Sequence, residues 1–198
     1  MMSSPSRTLD FEELFSIFSS PRFLKMEGTG NEVPLFIKPY APELEISEGV
    51  EALVLRLRGE GFSVLSLDLF DLVAEVLEPR DQLKRLVEKE AAYTKSKLYD
   101  AMRRLTDPKT TLIPAIQKHF ASGKFDLTIL HGVGSVFPYV RTHSLLENLQ
   151  PAMVDHPVAM FFPGDYLHQE GAGSTLSLFG RLEHKGYYRA FNLDHYHL

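Results

Sequence analysis

Short apolar runs alternate along this sequence with segments whose apolar residues recur every three or four positions. Each run has the length of a buried strand, and together they occupy residues 33–37, 62–67, 127–130, 158–162 and 188–193. Strands that are buried on both faces read as continuous apolar runs, and their alternation with helices favours a mostly parallel sheet. The sequence therefore predicts an α/β fold, with a mostly parallel five-stranded sheet as the middle of three layers.

Helical spacing marks the segments between these runs. Asp10 is placed to cap the first helix, Gly59 and Gly61 close the second, and Pro39 is expected to end the first strand. The helices are predicted over residues 11–18, 50–57, 68–77, 138–150 and 176–182. Residues 80–122 have helical spacing but no β-branched run, so we expect a helical insertion there, within a single domain of 198 residues.

Composition narrows the function classes. The chain has no cysteine, which excludes disulfides, thiol nucleophiles and thiolate metal sites and fits a reducing compartment. The first residues lack the apolar run of a signal peptide, and no stretch approaches the ~20 apolar residues of a membrane span. We therefore expect a cytoplasmic protein without membrane contact.

Charge is unevenly distributed along the chain. The net charge of −5 argues against a surface that attracts nucleic acid as a whole, yet residues 80–118 carry ten basic and five acidic side chains. A solvated helix face explains this pattern, and so does a docking surface for an acidic protein or a nucleic-acid backbone. The candidate partner-binding residues are Lys84, Arg85, Arg103 and Arg104.

The loop after the third apolar run is a candidate ligand site, because ligands bind beyond the carboxyl ends of parallel strands. Gly132 and Gly134 allow the backbone to turn tightly and approach a ligand, Ser135 follows them, and Arg141 can bind phosphate or carboxylate. A tight strand-to-helix turn with a structurally paired arginine explains the same residues. Phe137 stands where a dinucleotide fingerprint has its third glycine.

Other motifs are incomplete. No Walker A sequence is present, so the predicted core is like that of a P-loop ATPase or a Rossmann protein without its phosphate loop. Residues 28–30 are expected to form a turn. His143 is expected to occupy a half-buried position in the core. Asp68 and Asp71 are expected to act as a helix cap and a first-turn acid instead of as cation ligands. His195 and His197 lie in a tail that is expected to fray, and two histidines alone make an incomplete metal site. Since every motif is incomplete, we assign no catalytic residue, cofactor or metal site.

A resemblance extends over nearly the whole chain. Segments in the same order are similar to the BrxB family of bacterial BREX phage-defence systems: 11–18, 28–34, 131–143, 146–150, 160–166, 176–179 and 187–191. The longer segment 167–174 and the histidine-containing tail depart from that pattern.

The resemblance implies a small non-catalytic component of a BREX complex. It would act as an adaptor for the phosphatase-like protein PglZ first, and also for the ATPase and the DNA methyltransferase of the system, with contact to DNA only through the complex. The family supplies no catalytic residues to transfer. The alternatives are a degenerate nucleotide-binding regulator that uses residues 132–141 and a nucleic-acid-binding adaptor. Self-association as a homodimer is a further alternative.

Overall fold

The elements of the fold come from a computed structural model, which describes residues 8–27, 34–169, 173–186 and 188–198, with the side chains at 80, 82, 168 and 169 excepted. Its strands are β1 (Leu35–Tyr40), β2 (Val64–Asp68), β3 (Leu127–His131), β4 (Val158–Gln169), β5 (Gly173–Leu178), β6 (Leu182–Gly186) and β7 (Phe191–Asn192). Its helices are α1 (Phe11–Phe18), α2 (Pro21–Leu24), α3 (Ser47–Gly59), α4 (Leu69–Leu77), α5 (Gln82–Glu90), α6 (Lys95–Leu105), α7 (Ile113–Phe120) and α8 (Thr142–Leu149). A π-helical turn, Pro108–Leu112, precedes α7.

The main sheet consists of five parallel strands in the order β2-β3-β4-β1-β7. The predicted α/β class and the five strands of a mostly parallel sheet are thus confirmed. The middle strand, β4, is twelve residues long, and its second half leaves the parallel sheet to pair antiparallel with β5, which pairs with β6. We call β5 and β6 the hairpin.

Each face of the parallel sheet has its own apolar core. Along β4, Ala159 and Phe161 pack among the buried residues of α1, α2 and α3, whereas Met160 and Phe162 pack among those of α4, α7 and α8. This alternation follows from the two-residue period of a strand. The apolar runs therefore serve two cores at once, with helices on both sides of the sheet.

The cap predicted for the first helix is correct, but the end predicted for the first strand is not. Asp10 caps α1 by accepting from Glu12 N–H at 2.9 Å and Glu13 N–H at 3.0 Å, as predicted. The prediction that Pro39 ends the first strand is wrong, because β1 continues through it to Tyr40. Since β7 pairs only with Phe36 and Ile37, Pro39 lies beside an open edge, where a missing N–H is tolerated.

Two predicted helices are wrong in whole or in part. Residues 176–182 form the end of β5, a turn at Gly180 (φ +65°) and the start of β6. The helix predicted from Pro138 begins only at Thr142, because residues 133–140 form successive turns. The predicted turn at residues 28–30 lies outside the described residues.

The C-terminal tail is packed, so the expectation that it frays is wrong. Tyr196 is 5% exposed and contacts the rings of Phe23 and Phe36 edge-on, at centroid distances of 5.5 and 6.3 Å. His195 and His197 are exposed on either side of it. The tail thereby covers the end of the core on the α1–α3 side.

Helices α5 and α6 differ from all the helices that cover the sheet. Leu86 is the buried side chain of α5 among those the structure describes, and α6 has none. The next helix, α7, instead buries Ile113, Ile116 and Phe120. We refer to α5 and α6 as the α5–α6 pair.

Candidate functional site

A cavity of about 390 Å³ opens between the loop after β3 and the hairpin, at the carboxyl end of the parallel sheet. Its floor is apolar and includes the buried side chains of Phe162, Leu176 and Leu178. Arg141 and Arg181, both exposed, also line it; Arg141 precedes α8, and Arg181 lies in the hairpin turn. The cavity thus combines an apolar interior with a cationic margin.

Two histidines form one wall of the cavity. The imidazole rings of His143, in α8, and His184, in β6, are stacked with centroids 3.7 Å apart and planes 4° from parallel. His184 Nδ1 is hydrogen-bonded to the hydroxyl of Tyr188. Burial lowers the pKa of His143, and the charges of His184 and Arg141 lower it further, against the opposing effect of Glu147. These contacts therefore favour the neutral imidazole of His143 over the charged one.

The structure explains most of the predicted loop residues by contacts within the chain. Gly132 has φ +74°, and a Cβ there would lie 2.5 Å from Asp68 Oδ1. Gly134 packs against Phe179 and Pro163, and Ser135 is exposed in a turn. Arg141 alone of the four lines the cavity; it precedes α8 and makes no side-chain capping bond. Ligand binding by these residues stays a prediction.

Asp68 connects the ends of β2 and β3. Its Oδ1 accepts from Phe70 N–H at 2.6 Å, which makes it the cap of α4, and its Oδ2 lies 3.1 Å from His131 Nδ1. His131 Nε2 in turn lies 3.3 Å from Ser66 Oγ. The order of atoms is that of a catalytic triad, but Ser66 lies inside a paired strand instead of on the turn that would present it to a substrate. The predicted roles of Asp68 as the helix cap and of Asp71 as an acid in the first turn are confirmed.

The pKa of Asp68 is lowered, first by its hydrogen bond with His131 and also by the N–H groups of α4, although burial opposes the shift. A carboxyl whose pKa is lower in the folded state stabilises the fold above its unfolded pKa of ~3.9, and this stabilisation is lost as the pH falls through the folded pKa. We therefore expect Asp68→Ala to lower the free energy of unfolding by about 1–3 kcal/mol at pH 7. Asp68→Asn retains the cap and should cost less. Urea unfolding from pH 7 to pH 3 measures both; a cost of Asp68→Ala that does not shrink below pH 4 would contradict this account.

The α5–α6 pair forms a second candidate surface. A groove of about 250 Å³ between the helices has Leu86, Ala101 and Leu105 in its floor. The predicted residues Arg85 and Arg104 line this groove, together with Lys89 and Tyr93. Lys84 lines a neighbouring cleft beside Leu83, and the guanidinium carbon of Arg103 lies 5.7 Å from the ring centroid of Tyr99. Arg103 also lines a cleft, together with Arg104 and Asp100. All four predicted basic residues thus border clefts at the pair.

Comparison with known proteins identifies the family. A family model described as BREX protein BrxB matches residues 65–193. A Bacillus cereus (strain H3081.97) protein named BREX protein BrxB is 31% identical over 188 residues, which cover 92% of this chain and 94% of that protein. The chain belongs to the BrxB family. A second BrxB-family protein, from Escherichia coli O9:H4 (strain HS), is 29% identical over 196 residues, which cover 97% of this chain and 94% of its own length. No solved structure matches the chain significantly.

Membership of the BrxB family confirms the resemblance found in the sequence and assigns the chain to BREX phage defence. The family model includes every residue of the cavity and of the α5–α6 pair. In the described part of the chain, no helix is long and apolar enough to cross a membrane. Nor do three or more metal-ligating side chains come together among those residues.

Sequence reasoning missed the hairpin side of the cavity. Arg181, Glu183 and His184 were assigned to a helix and to the residues after it, so nothing indicated that His184 would meet His143. A usable signal was present: Gly180 follows the segment 174–178, in which Leu176 and Leu178 alternate with polar residues.

Proposed function

We propose that this BrxB-family chain is a protein-binding component of a BREX complex, an adaptor that docks first onto the PglZ-type protein and thereby assembles with the ATPase and the methyltransferase. The observation that supports it most directly is the α5–α6 pair. Helices of nine and eleven residues are marginal alone and normally gain their stability from a buried apolar face. In this pair the described residues include a single buried side chain, and Met102 and Leu105 of α6 are partly buried against the core. Much of the surface of both helices is therefore open to a partner.

The exposed apolar residues of α5 support a protein partner. Leu83 is 46% exposed and Val87 63% exposed, and they lie one helical turn apart on the same face. Leu83 lines the cleft next to the groove, and Val87 lies outside both linings. Exposed apolar side chains of this kind form the centre of most protein interfaces. A nucleic-acid backbone would have no use for them.

Charge indicates the chemistry of that partner. Residues 82–105 carry seven basic side chains and three acidic ones, in a chain whose net charge is −5. Arg85, Lys89 and Arg104 border the groove, so its margin attracts carboxylates. The expected partner surface is therefore acidic, with an apolar residue that enters the groove.

Co-purification tests this proposal. The tagged chain, expressed with the PglZ-type protein of the same BREX system, should recover that protein in stoichiometric amount. The triple variant Arg85→Glu, Val87→Glu, Arg104→Glu reverses the margin and places a charge among the apolar residues. We expect it to recover at least about tenfold less partner.

A matched variant separates docking from general charge. Lys25→Glu, Leu55→Glu, Lys124→Glu makes the same change in net charge at exposed positions elsewhere, and Leu55 is 68% exposed. It should recover the partner as well as the unchanged chain does. Equal recovery by both triple variants, or recovery of duplex DNA in place of the partner, would overturn the proposal; salt-sensitive DNA binding lost in the first variant would establish the nucleic-acid adaptor.

A further inference from the structure

The cavity beside the hairpin is a second feature that the adaptor role does not use. It is lined by Phe137 and residues 141–143 from the segment after β3 and by Arg181 from the hairpin turn. Its volume of about 390 Å³ is at the lower end of the ~300–1,000 Å³ of small-molecule sites. A molecule of one nucleoside unit fits this volume better than a dinucleotide.

Both arginines are available to a ligand. None of the ion pairs between described residues includes Arg141 or Arg181, and Arg141 does not cap α8. Glu183 is the one carboxylate in the lining, against two guanidinium groups. A guanidinium presents a planar fork of N–H donors that matches phosphate oxygens, so the margin favours an anion.

The interior of the cavity favours a planar apolar group. Phe137 and Phe162 line it along with Leu176 and Leu178, and the mutually stacked imidazoles of His143 and His184 also belong to the lining. A purely inorganic anion would leave this apolar floor unused. An uncharged ring would leave the two guanidinium groups without a counter-charge.

We propose that this cavity binds a small phosphate-bearing molecule with a planar apolar part, of the size of a nucleoside monophosphate. Arg141 and Arg181 hold the phosphate at the margin, and the ring lies on the apolar floor. The site is formed jointly by the loop after β3 and by the hairpin, so it exists only when both are folded. It does not depend on the α5–α6 pair or on any partner.

Titration of the purified chain with AMP, adenosine and inorganic phosphate tests the proposal. Calorimetry should show saturable, equimolar binding of AMP with a dissociation constant below about 1 mM, and weaker binding of adenosine and of phosphate alone. In the same samples, NMR should show the pKa of His143 rising when AMP binds, because a nearby anion favours the charged imidazole. His184, Arg141, Arg181, Glu147 and Glu183 are the other charged or titratable groups that act on His143 or share the cavity lining with it.

Variants assign the binding to this cavity. Arg141→Ala and Arg181→Ala should each weaken AMP binding at least about tenfold. Lys185 is an exposed residue of β6 that does not line the cavity, so Lys185→Ala should leave AMP binding unchanged. Leu182→Trp retains every charge and fills the margin, so it should weaken AMP binding at least as much as the arginine variants do. Circular dichroism and thermal unfolding confirm that each variant is folded.

The outcomes are distinct from those of the adaptor test. Absence of saturable AMP binding, binding that both arginine variants retain, or adenosine binding as tight as AMP would each overturn the ligand proposal. The arginine variants should still recover the PglZ-type protein, because the cavity and the α5–α6 pair are different surfaces. Loss of one property therefore leaves the other measurable.

Discussion

Replacing Gly164 by alanine should lower the free energy of unfolding by about 2–5 kcal/mol. Gly164 lies where β4 passes from the parallel sheet into its pairing with the hairpin, opposite Leu178. It has φ +143°, a conformation that side chains rarely adopt, and a Cβ there would overlap the backbone carbonyl oxygen of Ser177. The variant must therefore strain the backbone and also separate β5 from β4. Urea unfolding followed by circular dichroism measures the loss.

Gly180→Ala is the matched control for this effect. Gly180 also has a positive φ, of +65°, but nothing lies within 4 Å of the position its Cβ would take. Only backbone strain acts there, so we expect a loss of about 1 kcal/mol. If Gly164→Ala cost no more than Gly180→Ala, the close approach of β4 and β5 at Gly164 would not exist in solution.

Replacing Phe161 by alanine should lower the free energy of unfolding by about 3–5 kcal/mol. Phe161 is fully buried in β4 and faces the core on the α1–α3 side. Truncation removes the transfer energy of the ring and leaves a void between two packed layers that cannot collapse fully. Thermal or urea unfolding measures the change directly.

Phe70→Ala tests whether the loss comes from burial. Phe70 lies in α4 and is 58% exposed, so its removal should change stability by no more than about 0.5 kcal/mol. Similar losses from Phe70→Ala and Phe161→Ala would contradict the assignment of the α1–α3 core. A loss of less than about 1 kcal/mol from Phe161→Ala would also contradict that assignment.

The inner strands of the parallel sheet were predictable because burial on both faces leaves a continuous apolar signal. Runs such as 158–162 must satisfy two cores, so every position is apolar and the pattern is unambiguous. Strand order was not predictable. The connection from β1 to β2 carries the chain past two strand positions, and many orders would bury the same runs equally well.

The hairpin was mispredicted because its spacing is ambiguous. Leu176, Leu178 and Leu182 are two and four residues apart, which fits one face of a helix as well as a strand. What decided the outcome was tertiary pairing with the extension of β4, which a local pattern does not encode. The cavity could be only half predicted for this reason: Arg141 came from the loop, but Arg181 and His184 depended on the hairpin.

The length of β4 affects how the fold unfolds. One continuous strand belongs both to the parallel sheet, through β1 and β3, and to the hairpin, through β5. The hairpin pairs with the second half of β4, and both cores pack on the first half. Separating β5 from β4 therefore releases one end of the central strand. The two regions should therefore melt in one cooperative transition. A molecule held by the hairpin would accordingly protect the whole domain against proteolysis, including helices far from the point of contact.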